Sequence, residues 1–174
     1  MTRLQQLLQR LRSQKTSSRW LAVVDSSVHI GHALASNPNS GNVFTIEAAA
    51  GGFYDCVLSD YIREEVIAKL GMPRFGSMTR EAVEATFAPM WEQAIWLPLA
   101  DDDPSYHGAV PDPKDVPILR TAMAVYFVPD LATRPRRLLI TNNTRHFPDG
   151  EIWQGFEFIT AHRFQQDLVR FGRR

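Results

Sequence analysis

The chain has 174 residues, and its 19 Lys and Arg side chains balance 19 Asp and Glu side chains, so the formal net charge is zero. This length predicts one domain with enough chain to bury a core, and the 44% of hydrophobic residues excludes a disordered or fibrous protein. The single cysteine, Cys56, excludes an internal disulfide and a zinc site made of several cysteines. Zero net charge argues against a protein that coats nucleic acid through overall positive charge.

The charges are segregated along the sequence. Residues 1–24 contain five basic side chains and no acid, residues 134–145 contain four Arg and no acid, and residues 101–115 contain five Asp against one Lys. Arg accounts for 16 of the 19 basic residues, and its planar guanidinium suits phosphate well. Two interpretations therefore remain: ordinary solvated surfaces, which give the same pattern, and a local surface that binds phosphate.

Apolar spacing in the first third of the chain predicts a helix, a strand and a second helix. Leucines recur at helical spacing over residues 3–14, within the basic segment. The apolar run 20–24 ends at Asp25 and is typical of a buried strand in a parallel sheet. After a loop, Asn42 or Thr45 is expected to cap the second helix.

The middle of the chain predicts two strands, two helices and a loop. A strand over 54–58 precedes a helix that Ser59 is expected to cap, and Thr79 is expected to cap the next one. The run 95–99 predicts an edge strand, because its proline lacks the N–H that an interior strand needs. Residues 101–114 are rich in Pro and Asp and predict a loop.

The last third predicts a helix over 116–127, strands over 137–140 and 156–159, and a final helix over 161–171. Strands and helices therefore alternate along the chain. This order predicts a single three-layer α/β/α domain with a central, mostly parallel sheet and right-handed crossovers.

We place this domain at residues 20–174 and interpret residues 1–19 as an N-terminal basic amphipathic helical extension. No apolar run approaches the roughly 18 residues of a transmembrane helix. The first residues also lack the continuous apolar stretch of a signal peptide. The sequence therefore predicts no membrane association and a cytoplasmic location.

Polar side chains follow the predicted strands at one edge of the sheet, where open α/β sheets bind their ligands. Asp25 follows the first strand, and Thr141 and Asn143 follow the strand over 137–140. Four further acids lie on adjoining helices or their first turns: Glu64, Glu65, Asp112 and Asp115. Solvation, or a place at the start of a helix, is the alternative explanation for each of these acids.

Carboxylates gathered at one edge repel one another, by about 4 kcal/mol for two charges about 4 Å apart at an effective dielectric of about 20. A divalent cation relieves this repulsion, and an all-oxygen donor set suits Mg²⁺ or Mn²⁺. Such an ion lowers the pKa of a bound water for attack on phosphorus, while neighbouring arginines hold a polynucleotide backbone. The sequence therefore predicts a magnesium or manganese site that acts on phosphodiesters.

Four segments of the chain, in this order, resemble the PIN-domain nucleases, in particular the toxin-type branch. They are Val23–Val28, Leu58–Val66, Asp112–Leu119 with Ala122, and Leu139–Pro148. The resemblance extends from about residue 20 to residue 170. It implies a parallel sheet between helices and metal-dependent cleavage of RNA that leaves a 5′-phosphate and a 3′-hydroxyl. It also implies a cognate antitoxin protein and frequent homodimerisation.

The resemblance assigns Asp25, Glu65 and Asp115 as catalytic residues and metal ligands, and so selects Glu65 over Glu64. Asn143 takes the fourth acidic position of the family as a further ligand. Asp112 and Glu64 are the secondary metal candidates. Three hydroxyl side chains are expected to hydrogen-bond the ligands: Ser26, Ser27 and Thr141. Three basic side chains are expected to contact RNA, with capping or packing as the alternative for the last: Arg145, Arg137 and His146.

Two positions depart from the family pattern, because Ser27 stands where Asn is usual and Asn143 is neutral. The chain contains no phosphate-binding P-loop motif and no serine-hydrolase Gly-x-Ser-x-Gly motif. The main hypothesis is therefore a divalent-metal-dependent endoribonuclease that acts as the toxin of a toxin–antitoxin pair. The alternative is a catalytically weak or inactive PIN domain that binds RNA or protein.

Overall fold

The computed structural model describes residues 20–171, so the predicted extension 1–19, with its helix over 3–14, lies outside the described residues. Within 20–171 six strands form one sheet in the order β3-β2-β1-β4-β6-β5. The strands are β1 (Leu21–Val24), β2 (Asp55–Leu58), β3 (Ile95–Trp96), β4 (Arg137–Ile140), β5 (Ile152–Trp153) and β6 (Phe156–Ile159). All neighbouring strands are parallel except β5, which is antiparallel to β6.

Eight α-helices surround the sheet within residues 20–171. They are α1 (Ser26–Ala33), α2 (Gly41–Ala50), α3 (Asp60–Leu70), α4 (Arg80–Trp91), α5 (Pro104–Ala109), α6 (Val116–Ala124), α7 (Pro129–Ala132) and α8 (Ala161–Phe171). Helix α1 packs on α2 and α3, α2 packs on α8, and α6 lies against β1 and β2. This α/β architecture with a mostly parallel sheet is consistent with the predicted three-layer α/β/α domain.

The central strands are buried, as expected of a parallel sheet covered by helices. All four residues of β1 are fully buried, and so are Leu138, Leu139 and Ile140 of β4. Strand β1 pairs with β2 on one side and with β4 on the other. The carboxyl ends of three adjacent strands therefore meet at one edge, directly before the residues predicted to carry the chemistry.

Three α-helices and one strand were not predicted from the sequence. Helix α1 begins directly after Asp25, strand β5 forms an antiparallel sheet edge, α5 forms inside the predicted loop over 101–114, and the short α7 lies between the predicted helix over 116–127 and β4. The start of α5 has a clear local cause, because the Asp103 carboxylate accepts a hydrogen bond from the Ser105 N–H at 2.8 Å. A proline occupies the first turn of α5, where it is well tolerated.

The predicted caps are partly wrong. Ser40, rather than Asn42 or Thr45, caps α2, because its hydroxyl accepts a hydrogen bond from the Val43 N–H at 3.3 Å. Thr45 instead donates to a carbonyl one turn earlier in α2. Thr79 caps α4 as predicted, by accepting from the Ala82 N–H at 3.2 Å.

No helix within residues 20–171 has the length and the apolar character that crossing a membrane requires.

Candidate metal centre at the carboxyl ends of the strands

Asp25 is the buried acid of the cluster, only 5% exposed, and it lies directly after β1. One carboxylate oxygen, Oδ2, accepts hydrogen bonds from Ser27 Oγ at 2.6 Å and from Thr141 Oγ1 at 2.7 Å. Ser26 Oγ lies 3.4 Å from the other oxygen, Oδ1. A buried carboxylate needs such donors. All three hydroxyl residues predicted to support the ligands therefore contact Asp25.

Thr141 connects Asp25 to the segment that follows β4. Its Oγ1 accepts a hydrogen bond from the Asn143 backbone N–H at 2.9 Å. The Asn143 side chain then points its Nδ2 toward Asp115 Oδ2, at 3.4 Å. The structure brings Asn143 to the cluster as predicted, but its amide nitrogen faces the neighbouring acid. Its Oδ1 would bind a cation on that side only after the amide rotated.

Asp115 forms a group with Asp112 and His146 that is suited to a cation. His146 Nδ1 lies 2.5 Å from Asp115 Oδ2, so the two atoms share a proton or, once it is lost, face the same cation. One ligand atom from each of Asp112, Asp115 and His146 lies within 4.8 Å of the other two. These three residues are therefore close enough together to bind one metal ion.

Burial raises the pKa of Asp115, although His146 acts in the opposite direction. The nearby Asp25 and Asp112 also raise this pKa, because like charges disfavour the ionised form. Asp115 thus lies in the field of two other carboxylates. A bound cation would relieve this repulsion.

Glu65 on α3 joins the cluster through a lysine. Lys69 Nζ lies 2.8 Å from Glu65 Oε1, one helical turn away, and 3.2 Å from Ser26 Oγ. Ser26 in turn contacts Asp25. Glu64, the alternative candidate, is paired with Arg80 on α4, and its side chain is 54% exposed. The structure therefore separates the two glutamates, with Glu65 joined to the cluster and Glu64 on another face.

Tyr61 on α3 lies among the acids, which sequence reasoning did not indicate. Its hydroxyl donates a hydrogen bond to the Lys114 backbone carbonyl at 2.9 Å. Burial raises the pKa of the phenol, and four carboxylates raise it further: Glu65, Asp115, Asp25 and Asp112. Four of the five acids predicted to lie at this edge therefore act electrostatically on one side chain.

Two of the three side chains predicted to contact RNA lie in the segment after β4. Arg145 is exposed, and His146 is turned back toward Asp115 by a turn in which its N–H donates to the Asn143 carbonyl at 3.1 Å. Arg137 does not join them, because it is the first residue of β4 and so lies at the amino end of that strand, away from the cluster at the carboxyl ends. Its guanidinium donates to the carbonyls of Ala132 and Arg134, at 2.7 and 3.2 Å.

The donor set of this cluster is carboxylate and hydroxyl oxygen with one imidazole nitrogen. Hard divalent cations bind carboxylates and water, and imidazole adds affinity for transition metals such as Mn²⁺. Comparisons with protein-family models, with curated proteins and with solved structures find no match.

Proposed function

We propose that the protein is a divalent-metal-dependent endoribonuclease of the PIN type that uses Mg²⁺ or Mn²⁺. One observation carries the proposal. A continuous series of contacts joins Glu65, Lys69, Ser26, Asp25, Thr141, Asn143 and Asp115. It places acids from three distant segments at the edge of the sheet where α/β proteins bind ligands.

The partners of these acids distinguish them from acids that serve stability. Glu157, for example, is neutralised by two guanidinium groups, from Arg136 at 2.9 Å and from Arg163. Asp25 instead accepts from neutral hydroxyls, and Asp115 lies near other carboxylates. Lys69 pairs with Glu65, but the one ammonium does not balance all of these carboxylates, and the remaining negative charge costs free energy. A function that requires a cation there accounts for this cost.

The proposed roles follow from the contacts. Asp115, with Asp112 and His146 beside it, would hold the cation together with Asp25, and Glu65 would hold the Lys69 ammonium at the other end of the cluster. A bound divalent cation would neutralise phosphate charge and lower the pKa of the attacking water. One of these carboxylates would accept the proton of that water, and Ser27 and Thr141 would keep Asp25 oriented. The imidazole nitrogen favours Mn²⁺ over Mg²⁺.

The resemblance to toxin-type PIN proteins extends the proposal to a cellular role. We expect a toxin that a cognate antitoxin protein neutralises and that forms a homodimer, and we expect RNA products with a 5′-phosphate and a 3′-hydroxyl. Expression of the chain alone is then expected to stop bacterial growth, whereas the Asp25→Asn variant is not. Equal growth of cells that express either form would contradict the toxin role.

The test of the proposed activity is RNA cleavage by the pure protein. Single-stranded and structured RNA are incubated with Mn²⁺ or with a chelator, using the unmodified protein and Asp25→Asn. Asn still accepts the bonds from Ser27 and Thr141, so the fold is expected to survive, and thermal unfolding checks this. We expect cleavage with Mn²⁺ that chelation abolishes and that Asp25→Asn reduces at least about 100-fold.

Two results would contradict the proposal. Cleavage that survives both the chelator and Asp25→Asn would exclude the metal mechanism. RNA binding without cleavage by any form would favour the alternative function, an RNA-binding module with an inactive acid cluster.

A further inference from the structure

Lys69 places a positive charge inside the acid cluster. Its Nζ contacts Glu65 at 2.8 Å and Ser26 at 3.2 Å, so the ammonium is held between α3 and α1. An exposed ion pair one turn apart on a helix contributes little to stability. The second contact reaches across to another helix and holds the ammonium on Ser26, whose hydroxyl contacts the buried Asp25.

The two ends of the cluster differ in charge. Within residues 20–171 no other Lys and no Arg side chain forms an ion pair with Asp25, Glu65 or Asp115. The group close enough to bind a metal lies at the Asp115 end and includes neither Asp25 nor Glu65. One end of the cluster is therefore suited to a cation, and the other already contains an ammonium.

The Lys69 ammonium retains a donor for a ligand. Lysine has three N–H donors, and the contacts with Glu65 and Ser26 use two of them. The side chain is 34% exposed, so a ligand approaching the cluster from solvent can reach it. A phosphate oxygen is the acceptor that an ammonium at a phosphodiesterase site would meet.

We propose that Lys69 supplies the second positive charge of this active site, so that the site takes a single divalent cation and the ammonium binds a non-bridging oxygen of the scissile phosphate. The inference rests on the proposed nuclease function. In two-metal nucleases a pair of ions clamps the phosphate during displacement. Here the Lys69 ammonium, beside Glu65, would replace one of the two ions.

The first test counts metal ions without any RNA. Calorimetric titration with Mn²⁺ compares the unmodified protein with Lys69→Met, which keeps the side-chain length and removes the charge. Lys114→Met is the matched control, because the Lys114 contacts with Asp112 and Tyr61 are made by its backbone. We expect one Mn²⁺ per chain in the unmodified protein and in the control. We expect Lys69→Met to bind Mn²⁺ at least as tightly, since a competing positive charge is gone.

Two titration results would overturn the inference. Two Mn²⁺ ions per unmodified chain would leave no place for the ammonium as a substitute. A tenfold or greater loss of Mn²⁺ affinity in Lys69→Met would make Lys69 a support for the metal ligands instead.

The second test measures cleavage of RNA at saturating Mn²⁺, with circular dichroism to check each fold. Loss of a positive donor from the transition state typically lowers kcat by about 100-fold or more. We expect this loss in Lys69→Met, partial recovery in Lys69→Arg and little change in Lys114→Met. An unchanged kcat in Lys69→Met would overturn the inference. If no form cleaves RNA, the nuclease function fails. The Mn²⁺ titrations of the unmodified protein and Lys69→Met then test, on their own, whether the site takes a single ion and whether Lys69 competes with it.

Discussion

Acidification is expected to destabilise the protein through His29 on α1. The imidazole is fully buried, and its Nδ1 lies 3.1 Å from the Asp25 carbonyl oxygen, so Nδ1 carries the proton. The other nitrogen, Nε2, has no hydrogen-bond partner, and the ring packs against Phe87 and Trp91. Protonation of Nε2 would bury a cation without an acceptor. Burial therefore lowers the pKa of His29 from 6.5 to about 4.

The sign of the pH effect follows from this pKa. Between pH 6.5 and about 4 the unfolded chain binds a proton at His29 that the folded chain excludes. Stability therefore rises with pH across this window and is lost as the pH falls. At about 1.4 kcal/mol for each tenfold change in proton affinity, His29 accounts for about 3 kcal/mol. The raised pKa of Asp115 acts in the opposite direction, because its folded form holds a proton more tightly.

Urea unfolding of the unmodified protein and His29→Gln, at several pH values between about 7 and 4.5, isolates this contribution. The free energy of unfolding is expected to fall with acid more steeply in the unmodified protein, by about 2 to 3 kcal/mol over the range. His107→Gln is the control, because His107 is exposed and pairs with Asp102. Identical pH dependence in the unmodified protein and His29→Gln would refute the reasoning, as would a nuclear magnetic resonance titration that places the pKa of His29 near 6.5.

Substitutions at three further positions test the cap of α2 and the acid cluster. Ser40→Ala removes the acceptor for the Val43 N–H and is expected to lower the free energy of unfolding by about 1 kcal/mol. Ser40→Asp, which keeps an acceptor, is expected to restore this stability. An unchanged urea midpoint in Ser40→Ala would count against the cap. Asn143→Asp adds a carboxylate beside Asp115 and is expected to raise Mn²⁺ affinity by on the order of tenfold. Unchanged calorimetric affinity would place that side chain outside the metal site. His146→Phe is expected to weaken Mn²⁺ binding roughly 10- to 100-fold, and unaltered affinity would assign the imidazole to packing.

The sheet is the part of the fold that the sequence predicts best. Strands β4 and β6 and helix α8 have the predicted bounds, because short apolar runs and one amphipathic stretch define them without competing signals. Edge elements were harder to predict. Strand β5 has only two residues, which is too short for an alternating pattern.

Helix α1 was not predicted, and the side chains at its start contact the cluster instead of capping the helix. Asp25 occupies the N-cap position of α1, yet its carboxylate makes no capping bond and faces Ser27 and Thr141. Ser59 shows the same effect at α3, where its hydroxyl bonds Thr121 Oγ1 at 2.8 Å and caps nothing. A capping signal is local, whereas these partners are distant in the chain.

The acid positions at the strand ends were predictable because parallel strands place their carboxyl ends together. Which glutamate joins them depends on the face of α3 that each occupies. In the structure Glu65 pairs with Lys69 beside the cluster, whereas Glu64 pairs with Arg80 on a different helix. His146 and Tyr61 reach the acids through tertiary contacts. No spacing in the sequence encodes such contacts.

The measurement that tests the proposed active site most directly is the RNA cleavage rate of Glu65→Gln beside Glu64→Gln, both in Mn²⁺. The two substitutions are chemically identical, and their positions are adjacent on α3, but only Glu65 is joined to the cluster. We expect Glu65→Gln to lose at least about 100-fold in kcat and Glu64→Gln to stay within about twofold of the unmodified protein. A wild-type rate in Glu65→Gln, or an equal loss in Glu64→Gln, would contradict the assignment of this cluster as the catalytic site.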